Sequence, residues 1–354
     1  MNIRYLNKLF VFLFLLGIGV GQKTNWSYPV YVQGYVKFGH DSNPLRLSDD
    51  EIVYTESDSN NLLTNGSASV SSNFLSLYSK LTYSPKLING RTSKFSFSLK
   101  HNFYAEQSER TNSSININVN QSIGGYKNLY CNYFLMPDYY LREYRDNDMI
   151  FDNYENVADS LESSYFTTEK IKLGYQYPIN KNKEKFSFEL VKEKQVFNDL
   201  FTEFDLDING LGVKYYNQFF SIYYGYTVAD NITFLDGNFS TSYMDRGYNQ
   251  HQFSFNYSKK IKHNNSFGIS ANLYHRIYIS DIYNDTLHRT RKHNDLSISA
   301  WYNHTFLGYK SKVTFTNRNR VTNSSFDWVE DLKTFQRFNL SYTIYFNKSK
   351  VFNR

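Results

Sequence analysis

The sequence predicts an all-β chain, an antiparallel up-and-down transmembrane β-barrel of about 14 strands with short turns at one rim and long loops at the other. Three observations lead to it. Aromatic residues are abundant, 33 Tyr, 30 Phe and 3 Trp among 354 residues, yet the mean hydropathy stays polar at −0.57. Apolar and polar residues alternate with a period of two, over segments longer than the five or six residues of an ordinary strand. The connections between these segments are short and long in turn. A β-sandwich also alternates, but its strands are shorter and its connections do not sort in this way.

The first element is residues 1–21. Arg4 and Lys8 precede the apolar run 9–20, which ends in Gly19-Val20-Gly21 and so places small residues at the −3 and −1 positions of a cleavage site. That is the pattern of a cleaved signal peptide, and the run is shorter than the roughly 20 residues that a spanning helix needs. Beyond Gln22 no apolar stretch is long enough for such a helix, so residues 22–346 can cross a bilayer only as strands.

The strands are expected at 28–38, 73–84, 93–105, 113–123, 127–142, 163–177, 185–197, 205–216, 218–228, 251–260, 266–278, 293–305, 307–317 and 334–346. In 94–105, Phe95, Phe97, Leu99 and Phe103 alternate with Lys94, Ser96, Ser98, Lys100 and Asn102; in 252–258, Phe253, Phe255 and Tyr257 alternate with Ser254 and Asn256. Each strand thus has one greasy and one wet face. Between 205 and 216 the apolar phase slips from Leu206 and Ile208 to Leu211, Val213 and Tyr215, which predicts a bulge at Asn209-Gly210. Gly124-Gly125 reads as a hairpin signal, since no P-loop Lys follows it. Residues 347–354 are expected to form a short periplasmic tail.

Composition narrows the function. A single Cys, Cys131, excludes an intramolecular disulfide framework and a thiolate zinc cluster. A formal charge of +6 is too mild to imply nucleic acid. His101, His251, His263, His275, His288, His293 and His304 lack metal-ligand spacing, His288 and His293 reading as surface residues, and no cofactor is expected. If the apolar faces meet lipid, the wet faces line a lumen, and the pore-lining set is then Lys37, Lys80, Lys94, Lys100, Lys170, Lys172, Arg276, Lys310, Lys312, Arg318 and Arg337, against Glu189 and Glu193 only. Such a basic passage favours anions, unless these side chains merely solvate the interior or pair with inward-folded loops. The long loops 39–72 and 143–162 are acidic, and three readings stay open for them: solvated loops, carboxylate sites for Ca²⁺ or Mg²⁺, or a constriction folded onto the basic lumen. Fourteen strands lie between filled small barrels and open porins, so the pore should be narrow or loop-gated.

With signal peptide, dyad strands and the aromatic-ended segment Phe338-Asn339-Leu340-Ser341-Tyr342-Thr343-Ile344-Tyr345-Phe346, the chain resembles the outer-membrane β-barrel proteins of Gram-negative-type bacteria, in the porin-like class. The resemblance implies residence in the outer membrane, contact with its lipid and lipopolysaccharide, delivery by the barrel assembly machinery and passage of small solutes; it leaves a homo-oligomer open. Two other functions are carried alongside. Gly39-His40-Asp41-Ser42-Asn43 resembles the His-x-Ser-Asn string of outer-membrane phospholipase A, which would make Ser42 a nucleophile, His40 its base and Asn73 the residue orienting His40. A filled barrel would instead be a non-conducting surface scaffold or adhesin.

Overall fold

The computed structural model describes residues 30–57, 62–64, 66–67, 69–145, 161–180, 184–232, 245–262 and 265–352; residues 1–21, expected to be a signal peptide, lie outside the described residues. The strands are β1 (Val30–Asp41), β2 (Ser72–Tyr83), β3 (Ser93–Tyr104), β4 (Asn112–Gly124), β5 (Lys127–Arg145), β6 (Leu161–Asn180), β7 (Glu184–Phe197), β8 (Leu206–Tyr216), β9 (Phe220–Asn231), β10 (Tyr248–Lys262), β11 (Asn265–Tyr278), β12 (Lys292–Phe306), β13 (Tyr309–Asn323) and β14 (Phe335–Phe352). Each pairs antiparallel with its chain neighbour, and β1 pairs with β14 to close the barrel. Closure leaves no strand edge unpaired, which hydrocarbon would not tolerate.

The registers assign one parity to each side of the wall. Phe38 stands beside Leu75 and Tyr342, and Leu75 beside Phe103, all on the outside; Lys37 stands beside Ser76 and Thr343, and Lys100 beside Tyr78 and Ser114, all on the inside. The outer face exposes large apolar side chains all the way round, Phe38 at 50 %, Leu190 at 57 % and Leu340 at 51 % among them. A continuous apolar girdle of this kind is far larger than the patches soluble proteins carry, and lipid is the solvent it suits. Two of the short turns, Gly125-Tyr126 (φ 57° and 61°) and Leu307-Gly308 (φ 48° and 81°), have positive φ at both central residues. That is the type I′ geometry whose twist matches paired strands.

Three expectations are corrected. The ladder of β8 runs without a shift from Leu206 to Tyr216 against both β7 and β9, so there is no bulge at Asn209-Gly210. The phase slip has another cause: at the long-loop end Leu206 and Ile208 turn inward and are buried with Ala229, Tyr248 and Tyr278, whereas Leu211 and Val213 face outward within the apolar girdle. A register shift lies instead in β5, between Met136 and Tyr139, where Pro137 has no N–H to give the ladder and Asp138 adopts φ 45°. The tail expected at 347–354 is strand as far as Phe352, because Val30, Tyr31 and Val32 of β1 pair with Phe352, Lys350 and Ser349. Strands also outrun the greasy segments at the long-loop end, β13 reaching Asn323, because backbone pairing needs no apolar face.

The described parts of the long loops fold back over the mouth. In the loop after β1, Ser48 caps helix α1 (Asp49–Ser57): Glu51 N–H donates to Ser48 Oγ at 3.2 Å and Ser48 N–H donates to Glu51 Oε2 at 2.9 Å, a capping box written in the sequence as Ser-Asp-Asp-Glu. Leu45 and Leu47 are buried against Tyr140 of β5, and Glu51 pairs with Arg142. Phe197, Phe201 and Phe204 form a second apolar cluster after β7. A short helix, α2 (Asp327–Lys333), follows β13.

Candidate functional site

The lumen takes its character from loop residues as much as from strands. The loop between β1 and α1 carries Arg46 inward, at φ 59°. Asn43 shapes that loop by bonding both ways to Leu47, its Nδ2 donating to the carbonyl at 2.8 Å and its Oδ1 accepting from the N–H at 2.9 Å. The Arg46 guanidinium faces Tyr139, Arg318, Arg110 and Arg337, and burial followed by the repulsion of these three cations pulls its pKa below the ordinary value, to about 9, still charged at neutral pH. Its Nε has no hydrogen-bond partner among the described residues. Arg110, buried in the short loop after β3, donates to the Tyr140 carbonyl and to the Tyr139 hydroxyl. Lys37 in turn faces Lys100 and Lys312.

Several of these cations are paired. Arg337 Nε donates to Asp41 Oδ1 at 2.7 Å; Arg318 and Arg320 both bond Asp295, at 2.7 and 2.8 Å; Lys170 lies 2.6 Å from Glu193 and Lys172 3.8 Å from Glu189. No carboxylate reaches salt-bridge distance of Lys37, Lys100, Lys312 or Arg46 among the described residues. The pairing therefore neutralises part of the wall and leaves a net basic passage.

By register, Lys37, Lys80, Lys94, Lys100, Lys170, Lys172, Arg276, Lys310, Lys312, Arg318 and Arg337 all fall on the inner parity. Asp41, Asp295 and Arg320 join them and escaped the sequence reading, although their alternation with Lys37, Ser297 and Arg318 was there to find. Arg46 and Arg110 carried no periodic signal, since they sit in loops. Of the acidic loop 39–72, Asp41 and Glu51 are the counterions of Arg337 and Arg142. Among the described residues no three of His, Cys, Asp and Glu converge as cation ligands.

His288 and His293 are buried, a correction to their reading as surface residues. The loop 279–291 tucks under itself around Asp285, which accepts from Ser280 Oγ at 2.8 Å, Asp245 N–H at 2.8 Å and His288 Nδ1 at 2.9 Å. Burial first, then the Arg291 charge, pushes His288 down to about 3, so the imidazole is neutral and donates to a carboxylate held below its usual range chiefly by His288. His263 lies outside the described residues.

His40 and Asn73 do meet, Nδ1 to Oδ1 at 3.3 Å, on the outer face. Asn73 is held by Glu106 at 2.9 Å. Ser42 Oγ, however, accepts from the Phe338 N–H at 2.9 Å, and no hydrogen bond joins it to His40 among the described residues. His40 and Asn73 thus meet, while among the described residues Ser42 is not coupled to them as a nucleophile would need to be.

No family model matches the sequence, and no curated protein matches it. Solved structures do. OccAB3 of Acinetobacter baumannii is 10 % identical, with 91 % of this chain aligned to 100 % of that one at a TM-score of 0.42. OprD from Pseudomonas aeruginosa, an outer membrane protein, is 9 % identical over 91 % of this chain and 94 % of that one at 0.38, and OpdQ of the same organism 8 % identical over 92 % and 98 %, also at 0.38. The fold of this chain is a closed antiparallel barrel of 14 strands.

Proposed function

We propose that the chain is an outer-membrane pore for the passive passage of small solutes, with a preference for anions set by its basic lumen. The observation that carries this is the inversion of the wall: an unbroken apolar exterior around an interior of Ser, Asn, Tyr and cations, narrowed by the inward loop that bears Arg46. Lys37, Lys100, Lys312 and Arg46 are charges with no salt bridge among the described residues that a passing anion meets; Lys80, Lys94, Lys170, Lys172, Arg276, Lys310, Arg318 and Arg337 line the remainder. In a narrow, partly dehydrated passage such charges act at short range and are weakly screened. The protein reaches the membrane after export and removal of residues 1–21, and lipid, lipopolysaccharide and the barrel assembly machinery are its partners there.

Planar-bilayer recording of the refolded protein tests the reading. Discrete conductance steps are expected, with a reversal potential in a KCl gradient of the sign that chloride sets. Absence of steps would overturn the pore, and a reversal potential set by potassium would overturn the anion preference. The acyl-hydrolase alternative predicts fatty-acid release from phospholipid that Ser42→Ala abolishes; none is expected from the wild type.

A further inference from the structure

At the short-turn end the inner wall changes character. A recess of about 450 Å³ is bounded there by the rings of Tyr130, Tyr216 and Trp301 and by the side chains of Glu189, Lys214 and Asn256. Two of the rings are seated on glycines. A Cβ at Gly174 would run into the Tyr130 ring, and one at Gly268 into the Trp301 ring, so both rings lie flat on the wall where any other residue would lift them. Tyr130 is also fixed at its tip, its hydroxyl donating to Glu189 Oε1 at 2.6 Å with Ser187 Oγ 2.7 Å away. Lys312 Nζ stands 4.8 Å from the Trp301 ring centroid, and its flexible stem lets a stacking ring take that place.

We infer that this recess binds sugar rings. The proposal deepens the pore reading by naming a substrate class for the same lumen. Flat aromatic faces offer area to any planar or C–H-rich ring, at little conformational cost because they are already held. What selects among rings is the polar set. Glu189 only accepts, Lys214 and Lys312 only donate, and Asn256 does both. A hydroxyl donates and accepts, so a polyhydroxylated ring can satisfy all of them while it stacks. A simple anion uses the two lysines alone, and an aromatic hydrocarbon ring leaves every polar group unpaired, which costs affinity. The volume admits one to two pyranose units.

The test adds malto-, cello- and chito-trisaccharides to single channels of the refolded full chain and, separately, measures equilibrium dialysis of the same sugars against the protein in detergent micelles. At least one trisaccharide is expected to block current and to bind saturably in the millimolar range. Trp301→Ala and Tyr130→Ala should each weaken both readouts tenfold or more, with heat-modifiable gel migration retained. Open channels that no trisaccharide blocks would overturn the inference and leave the pore standing. If no channels appear, the pore reading falls, and dialysis alone decides the recess: saturable binding lost in Trp301→Ala supports it, and no binding overturns it.

Discussion

At the long-loop end the lumen is crowded with side chains that have found partners: Glu51 with Arg142, Asp285 with His288, Asp295 with two arginines, and apolar clusters around Tyr140, Phe201 and Tyr278. At the short-turn end the chain spends almost nothing on loops, and the wall presents flat rings together with Lys214 and Lys312, which form no salt bridge among the described residues. The same strands build both ends, so the difference comes from what the loops bring. Loops that fold inward gain by pairing the polar groups they bury, and these do so largely with ion pairs and capped turns, Arg46 Nε being an exception; a wall facing open water carries no such pressure and can keep charges and ring faces available.

The comparison breaks most sharply at Glu51, which both closes the capping box of α1 and answers Arg142. Glu51→Ala takes a carboxylate away from a buried guanidinium, and breaking such a pair costs up to about 3–5 kcal/mol. The loop should then leave the lumen, seen as a larger unitary conductance and as trypsin cleavage within residues 42–71. At the other end Gly268→Ala forces the Trp301 ring off the wall at a cost of about 1–3 kcal/mol; sugar block should disappear while chloride conductance persists.

Acid should loosen the mouth and spare the opposite end. Unfolded, the loop 279–291 binds a proton at His288 below a pKa of about 6.5; folded, with that pKa near 3, it does not. The native loop therefore loses up to about 1.4 kcal/mol per pH unit as pH falls through that window. Asp285, whose carboxyl is depressed when folded, adds a loss of the same sign below about pH 4. Amide exchange across 279–291 should accelerate from pH 6.5 downward, and His288→Phe should remove the part of that dependence above pH 4. Smallest in stability terms is Arg46→Ala. Freed of a buried cation without a counterion, the barrel should keep its thermal midpoint within a few degrees, while the chloride-to-potassium permeability ratio falls several-fold.

The wall was legible in the sequence because lipid imposes a period of two on every strand: Phe95, Phe97 and Leu99 declare one face, and the paired registers follow. The mouth was not, because loop packing has no period. Arg46 and Arg110 give no local sign of turning inward, and His288 reads as surface from its basic neighbours until Asp285 and the packing of Tyr278 are seen. The misread bulge at Asn209-Gly210 has the same origin, since a strand that leaves the girdle can bury apolar residues on its inward face, as Leu206 and Ile208 do.

The closure of β1 on β14 carries a consequence for how the molecule comes into being. Those strands lie at opposite ends of the chain, and every other pairing in the barrel is a hairpin between neighbours. Thirteen strands can therefore zip in order of arrival, but the ring cannot shut before the final one is delivered. Until then it is an open sheet with two bare edges, each a template for a foreign strand. Completion is all or none, and a chain lacking residues 335–352 should end as aggregate or protease substrate rather than as a smaller barrel.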